Sequence, residues 1–145
     1  MPPAKKKRLV RRFYESAWGR GELGIIDDLF TEDYVRHDLR PGDPAPGPEG
    51  MKRLTADFRA AFPDLRFHVD IVIAEDEHVA ARWTASGTHT GRWGEVEPTG
   101  RRATFSGVNI FRFENGKVVE IWNHRDDLGP REQVGAAIYA GARTD

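Results

Sequence analysis

The hydrophobic period of this chain changes at Pro63, and that change limits the folds open to it more than any other feature. Before it, apolar residues recur at helical spacing: Val10, Phe13, Tyr14, Ala17 and Trp18 in one stretch, then Met51, Leu54, Phe58, Ala61 and Phe62 in another. After it come alternating or short apolar runs, "RFHVDIVIAE", "HVAARWTASGTHTG", "RRATFSGVNIFRFE" and "KVVEIWNHRDD". Between the last two stands Asn115-Gly116, a strong hairpin signal. Helices followed by a meander of strands predict an α+β class, with N-terminal helices packed on one side of a curved antiparallel sheet.

The local signals set the boundaries. A first helix is expected from Ala4 to Gly19, ended by Gly19 and Gly21. The short "LGIIDDLF" helix follows, and Thr31 to Asp33 close it. "YVRHDL" reads as a short extended piece, and "RPGDPAPGPEG" as a loop, because proline there excludes a helix or a central strand. A third helix spans Pro48 to Phe62, with Pro48 in the first turn. Gly129 and Pro130 lead into a short last helix around Arg131 to Ala137. No repeat or low-complexity segment divides the chain, so residues 1–145 form one domain.

The balance of charges removes several function classes. The formal net charge is -1, so no global basic excess points to nucleic acid. The run "KKKRLVRR" places its cations opposite the apolar stripe of the first helix and reads as a solvated face. The absence of cysteine excludes disulfides, thiolate zinc sites and a cysteine nucleophile. No apolar run is long enough to span a membrane and no signal-peptide core follows the basic N-terminus, so a cytoplasmic, soluble protein is expected. "GRGELG" lacks the lysine and serine of a phosphate loop, and no G-x-S-x-G elbow is present.

A curved sheet closed on one side by helices leaves a cone, and an apolar cone with a few polar groups is a small-molecule pocket. Trp18, Phe58, Trp83, Phe105, Phe111, Phe113 and Trp122 supply the aromatic wall, although each one alone could be plain core. On the last strand, side chains alternate, so Trp122, His124 and Asp126 share a face. If Trp122 faces the cone, His124 and Asp126 enter with it. The two would stand about 6–7 Å apart and could touch one ligand. A desolvated Asp126 is a candidate base for a proton next to a carbonyl, with His124 as donor to the enolate. The alternative is a structural His124–Asp126 ion pair at the sheet end. Glu120 has the same parity, and its burial would be costly; either a bulge resets the register or Glu120 lies past the rim. Counting back from the Asn115-Gly116 turn pairs Phe113 with Val118, Phe111 with Glu120 and Asn109 with Trp122. That register puts Asn109 on the pocket face as donor and acceptor. His37 is placed to reach the mouth. A His37–His89–His124 metal site lacks any supporting ligand spacing, so no metal is expected. His68 and His78 read as strand-surface residues.

The stretches "AFPDLRFHVDIVIAEDEHVAARWTASGTHTG", "PTGRRATFSGVNIFRFENGKVVEIWNHRDDLG" and "YVRHD" resemble the SnoaL-like polyketide cyclase (ester cyclase) family of the NTF2-like superfamily. The resemblance extends over nearly the whole chain. It implies an NTF2-like α+β cone, usually a homodimer or higher homo-oligomer through the outer sheet face. For the founding cyclases it implies ring closure in an aromatic polyketide ester by intramolecular aldol condensation, with no metal and no organic cofactor. A pocket aspartate serves there as acid and base, with a histidine two residues before it; Asp126 and His124 match those positions. Asn109 matches the polar region of the preceding strand. A second histidine of that region has no match, and Phe111 and Phe113 hold the nearby places.

The expected function is therefore a cyclase in which Asp126 takes the proton and His124 and Asn109 steady the enolate. Trp122, Trp83, Phe111, His37, Trp18 and Phe58 would hold a small hydrophobic or aromatic substrate. Two alternatives stay open: a hydroxylase or isomerase in the same pocket, or a non-catalytic small-molecule binding module.

Overall fold

The computed structural model describes residues 1–38, 46–126 and 128–135. Most of the expected proline-rich loop, Leu39, Asp127 and the end of the expected last helix lie outside the described residues.

Helix α1 (Pro3–Arg12) begins at two prolines, whose missing N–H groups cost nothing in a first turn. It does not continue as a regular helix to Gly19. Phe13–Trp18 form a π-helical turn in which Phe13, Tyr14, Ser16, Ala17 and Trp18 are all buried. A π turn is wider than an α turn, and here it carries Phe13, Tyr14 and Trp18 onto one surface facing the sheet. Gly21, at φ 75°, ends the segment in the left-handed conformation that a side chain would resist. Helix α2 (Gly24–Leu29) buries Ile25, Ile26 and Leu29. Helix α3 (Gly47–Ala61) buries Met51, Thr55, Phe58 and Ala61 at helical spacing. The Thr55 hydroxyl is satisfied by the Met51 carbonyl oxygen at 2.8 Å. Helix α4 (Leu128–Gln133) closes the described chain.

Five strands form one sheet: β1 (Phe30–His37), β2 (Arg66–Glu75), β3 (His78–Thr88), β4 (Arg102–Glu114) and β5 (Lys117–Arg125), in the order β1-β5-β4-β3-β2. The four later strands make the expected antiparallel meander. The earlier segment exceeds its expectation. Residues 31–33 do not close the second helix; they belong to β1, which pairs parallel with β5. A parallel partner distant in sequence leaves no local signature.

The β4–β5 turn has φ 51° at Asn115 and 82° at Gly116, the two positive values that a type I′ hairpin requires. Just beyond it, the sequence-based register needs correction. Phe113 does pair with Val118, but Arg112 pairs with Glu120, so Val119 is an extra residue. Phe111 therefore faces Ile121 and Asn109 faces Asn123, not Glu120 and Trp122. A one-residue bulge moves every later side chain to the other face. Val118 is buried before the bulge and Ile121 after it, while Glu120, Trp122 and His124 turn outward. The burial conflict at Glu120 is resolved in this way: Glu120, Trp122 and His124 all leave the cone.

On the outer face, the His37 ring stacks on Trp122 with centroids 5.1 Å apart, and His78 approaches it at 6.0 Å. Glu120 accepts from Arg112 Nε at 2.8 Å and lies 2.6 Å from His37 Nε2. Those contacts, Arg112 first, hold the Glu120 carboxyl below its ordinary range. Inside the sheet, Phe13, Phe30, Phe111 and Phe113 build the core with the helices.

Candidate active site

Between the π turn, α3 and the concave face of the sheet lies a cavity of about 490 Å³, including its open mouth. Phe13, Tyr14 and Trp18 reach it from the π turn, and Met51, Leu54 and Phe58 from α3. The sheet supplies Phe67, Trp83 and Ile121 to the apolar wall, and Arg36, Asn109, Asn123 and Arg125 to the polar one. Each of these sheet residues has the inward parity of its strand.

The polar wall is ordered by one donor-only group. Trp83 Nε1 donates to Asn109 Oδ1 at 2.7 Å, and Tyr14 OH donates to the same oxygen at 2.5 Å. An indole N–H cannot accept, so the Asn109 amide must present its oxygen there. Its Nδ2 is then directed at Asn123, whose Oδ1 accepts it. The Asn123 amide is oriented in turn, and its Nδ2 is left buried without a hydrogen-bond partner. Burial raises Tyr14 well above the ordinary tyrosine range, so its phenol stays protonated and keeps donating.

Two arginines flank this chain of amides. Arg36 donates through Nη2 to Asp38 Oδ2 at 3.1 Å and approaches the Met51 sulfur through Nη1, while its Nε is buried and unpartnered. Arg125 lies over the Phe58 ring, 5.1 Å from its centroid.

Trp18, Phe58, Trp83 and Asn109 stand on this cavity as the sequence expectation placed them. Phe111 does not line it: fully buried, it packs against Phe13 and Tyr14 as core. Trp122, His124 and His37 do not line it either. Trp122 and His124 follow the Val119 bulge outward, and His37 is the outward neighbour of Trp122 on β1. Asp126 is exposed, and its Oδ1 accepts from Gly129 N at 3.0 Å, capping α4. A carboxylate that caps a helix is not the pocket carboxylate that simple alternation predicted. Sequence reading missed Tyr14, Arg36, Asn123 and Arg125 as cavity groups. The signal for the two on β5 was present: strict alternation that put Trp122 inside also put the Glu120 carboxylate there.

Among the described residues, no group of three His, Cys, Asp or Glu side chains is arranged to hold a metal ion. None of their helices is long and apolar enough to cross a membrane.

The family model for SnoaL-like polyketide cyclases matches residues 8–134. AclR from Streptomyces galilaeus, described as a "putative hydroxylase", is 31% identical, with a TM-score of 0.81 over 92% of this chain and 98% of its own. IdmH from Streptomyces antibioticus, described as a "putative polyketide cyclase", is 29% identical, with a TM-score of 0.77 over 94% of this chain and 100% of its own. TsrD from Streptomyces laurentii is 26% identical, with a TM-score of 0.84 over 94% of this chain and 99% of its own. Among curated proteins, none matches this chain.

Proposed function

This chain belongs to the SnoaL-like polyketide cyclase family, and from that premise we propose that it closes a ring in an aromatic polyketide by intramolecular aldol condensation, with acid–base chemistry and no cofactor. The observation that carries the reading is the Trp83–Asn109–Asn123 chain, which leaves an oriented, unpartnered N–H donor in an aromatic cavity. A fixed donor in a dry site is worth most where negative charge develops during reaction.

A carboxylate removes the proton alpha to one carbonyl. The electron pair passes to that carbonyl oxygen, which accepts from Asn123 Nδ2. The enolate carbon then attacks a second carbonyl carbon of the same molecule. The new carbon–carbon bond leaves an alkoxide that takes a proton back, so nothing is oxidised or reduced. The aromatic walls contribute by holding the two carbonyls in reach. Neither Asp38 nor Asp126 lines the cavity; we assign the base to Asp38, which is ion-paired with Arg36, itself part of the lining, and as base it would have to turn inward from that pair. Asp126, the position marked by the family resemblance, is the competing candidate; as base it would have to give up its cap on α4.

The test is turnover of a panel of aromatic polyketide methyl esters by wild type and variants. Asp38→Asn lowers kcat by about 10²–10⁴-fold, the usual worth of a general base. Asn123→Ala lowers it by about 10²–10³-fold, as loss of one oxyanion donor does. A loss confined to Asp126→Asn would return the base to Asp126. Tight binding with no turnover of any ester would reduce the chain to a binding module. One observation favours a second reading: the likeness to AclR supports a hydroxylase in the same cavity, and a product that forms only with dioxygen would select it.

A second copy of this chain is proposed to cover the outer sheet face, where Ile71 and Ile73 are exposed on β2.

A further inference from the structure

Three buried side-chain polar atoms lack a hydrogen-bond partner among the described residues: Arg36 Nε, Asn123 Nδ2 and His89 Nε2. The first two belong to the lining of one cavity. They come from neighbouring strands, since Arg36 on β1 pairs with Ile121 on β5, two residues before Asn123. Both atoms are donors. A guanidinium Nε carries no acceptor, and the Asn123 amide is turned donor-outward by its bond to Asn109. Leaving a buried donor unsatisfied is costly, and more so for a charged group. Such a pair is satisfied by ordered water or by a ligand that supplies acceptors.

The charge points the same way. Arg36 is permanently protonated. Arg125 adds a second guanidinium to the lining, whereas no Asp or Glu lines the cavity among the described residues. Asp38 offsets part of the Arg36 charge through Nη2, but leaves Nε unengaged. An ester carbonyl offers a neutral acceptor. An ionised oxygen offers an acceptor and the charge that matches this wall, and charge-assisted hydrogen bonds are about twice as strong as neutral ones.

We propose that the ligand of this cavity presents an ionised acidic oxygen, a carboxylate or the enolate of a β-dicarbonyl, to Arg36 Nε and Asn123 Nδ2. The proposal rests on the cavity being the substrate site, but not on aldol chemistry. It makes Arg36 a residue that selects substrate class, distinguishing acidic from neutral forms of one aromatic skeleton.

Calorimetry with matched probes tests it: 2-naphthoic acid, methyl 2-naphthoate, and a naphthoyl β-diketone titrated across its own ionisation. Wild type is expected to bind the acid about tenfold more tightly than the ester, or to bind the diketone about tenfold more tightly once it ionises. The first result identifies a carboxylate as the source of the charge and the second an enolate. In Arg36→Met and in Asn123→Leu the anion-to-neutral ratio falls toward one. Should Arg36→Met fail to fold, the wild-type ratio and Asn123→Leu still decide. Equal binding of anionic and neutral probes by wild type, or a ratio unchanged in the variants, overturns the proposal. Ring closure without anion preference would defeat this inference and leave the cyclase reading intact. Anion preference without ring closure of any substrate would do the reverse.

Discussion

His89 is the residue whose environment speaks most directly about pH. It is fully buried, packed on Phe62 and Trp93, and its Nδ1 accepts from Thr99 N at 3.3 Å. An accepting Nδ1 leaves the proton on Nε2, which has no partner. Burial lowers its proton affinity below the ordinary histidine value. The unfolded chain therefore binds a proton that the folded chain refuses. The stabilisation is complete above the unfolded value of about 6.5 and is lost as pH falls toward the depressed folded value. His89→Gln is expected to flatten the fall in urea midpoint between pH 7.5 and 5.5. If wild type and variant lose stability in parallel over that range, His89 is not the group responsible. The amides follow a similar residue-level logic, for the donor-only indole of Trp83 decides which way two asparagines face.

Among the elements, the β4–β5 hairpin does most to position the site. Its turn depends on Gly116 at φ 82°, and any L side chain there is strained. An added methyl would meet only the end of the flexible Met1 side chain, at 3.2 Å, so the backbone conformation and not crowding sets the cost. Gly116→Ala should destabilise by about 1–2 kcal/mol. Denaturant unfolding measures it, and a shift under about 0.3 kcal/mol would mean that the turn relaxes to another type. Period and turn residues made this hairpin legible in the sequence, together with the stripes of α1 and α3. A bulge was legible only as one of two ways out of the Glu120 conflict, and its position was not, because Val118 and Val119 are chemically alike and either could face the core. Strand β1 was legible only as an extended piece, since its partner β5 lies more than eighty residues further along the chain.

For the whole molecule, the two faces of the sheet divide the work. The concave face holds the core and cavity, while the outer face leaves Ile71 53% and Ile73 60% exposed. Neighbouring on that face are Ala80, Ile110 and Trp122, in register across β3, β4 and β5. This apolar row is where the proposed second copy would sit. Ile73→Glu is expected to turn a dimer into a monomer in light scattering at micromolar concentration without altering the cavity. Wild type that is monomeric under the same conditions would rule out this assembly. His37, His78 and Arg112 rim the row, so the interface would also carry titratable groups.

The amino-acid order alone determined the α+β class, the helical faces, the I′ turn and the aromatic supply, because each depends on residues within a few positions of one another. Trp18, Phe58, Trp83 and Asn109 do stand on the cavity, but for Asn109 the expected partner Trp122 is replaced by Asn123. The tertiary structure alone decided which side of β5 is inside. A single extra residue reverses every side chain after it, and only the packing of Val118 and Ile121 against the core selects where that residue goes. Through that choice Asn123 and Arg125 face the cavity, while His124 stands in the open.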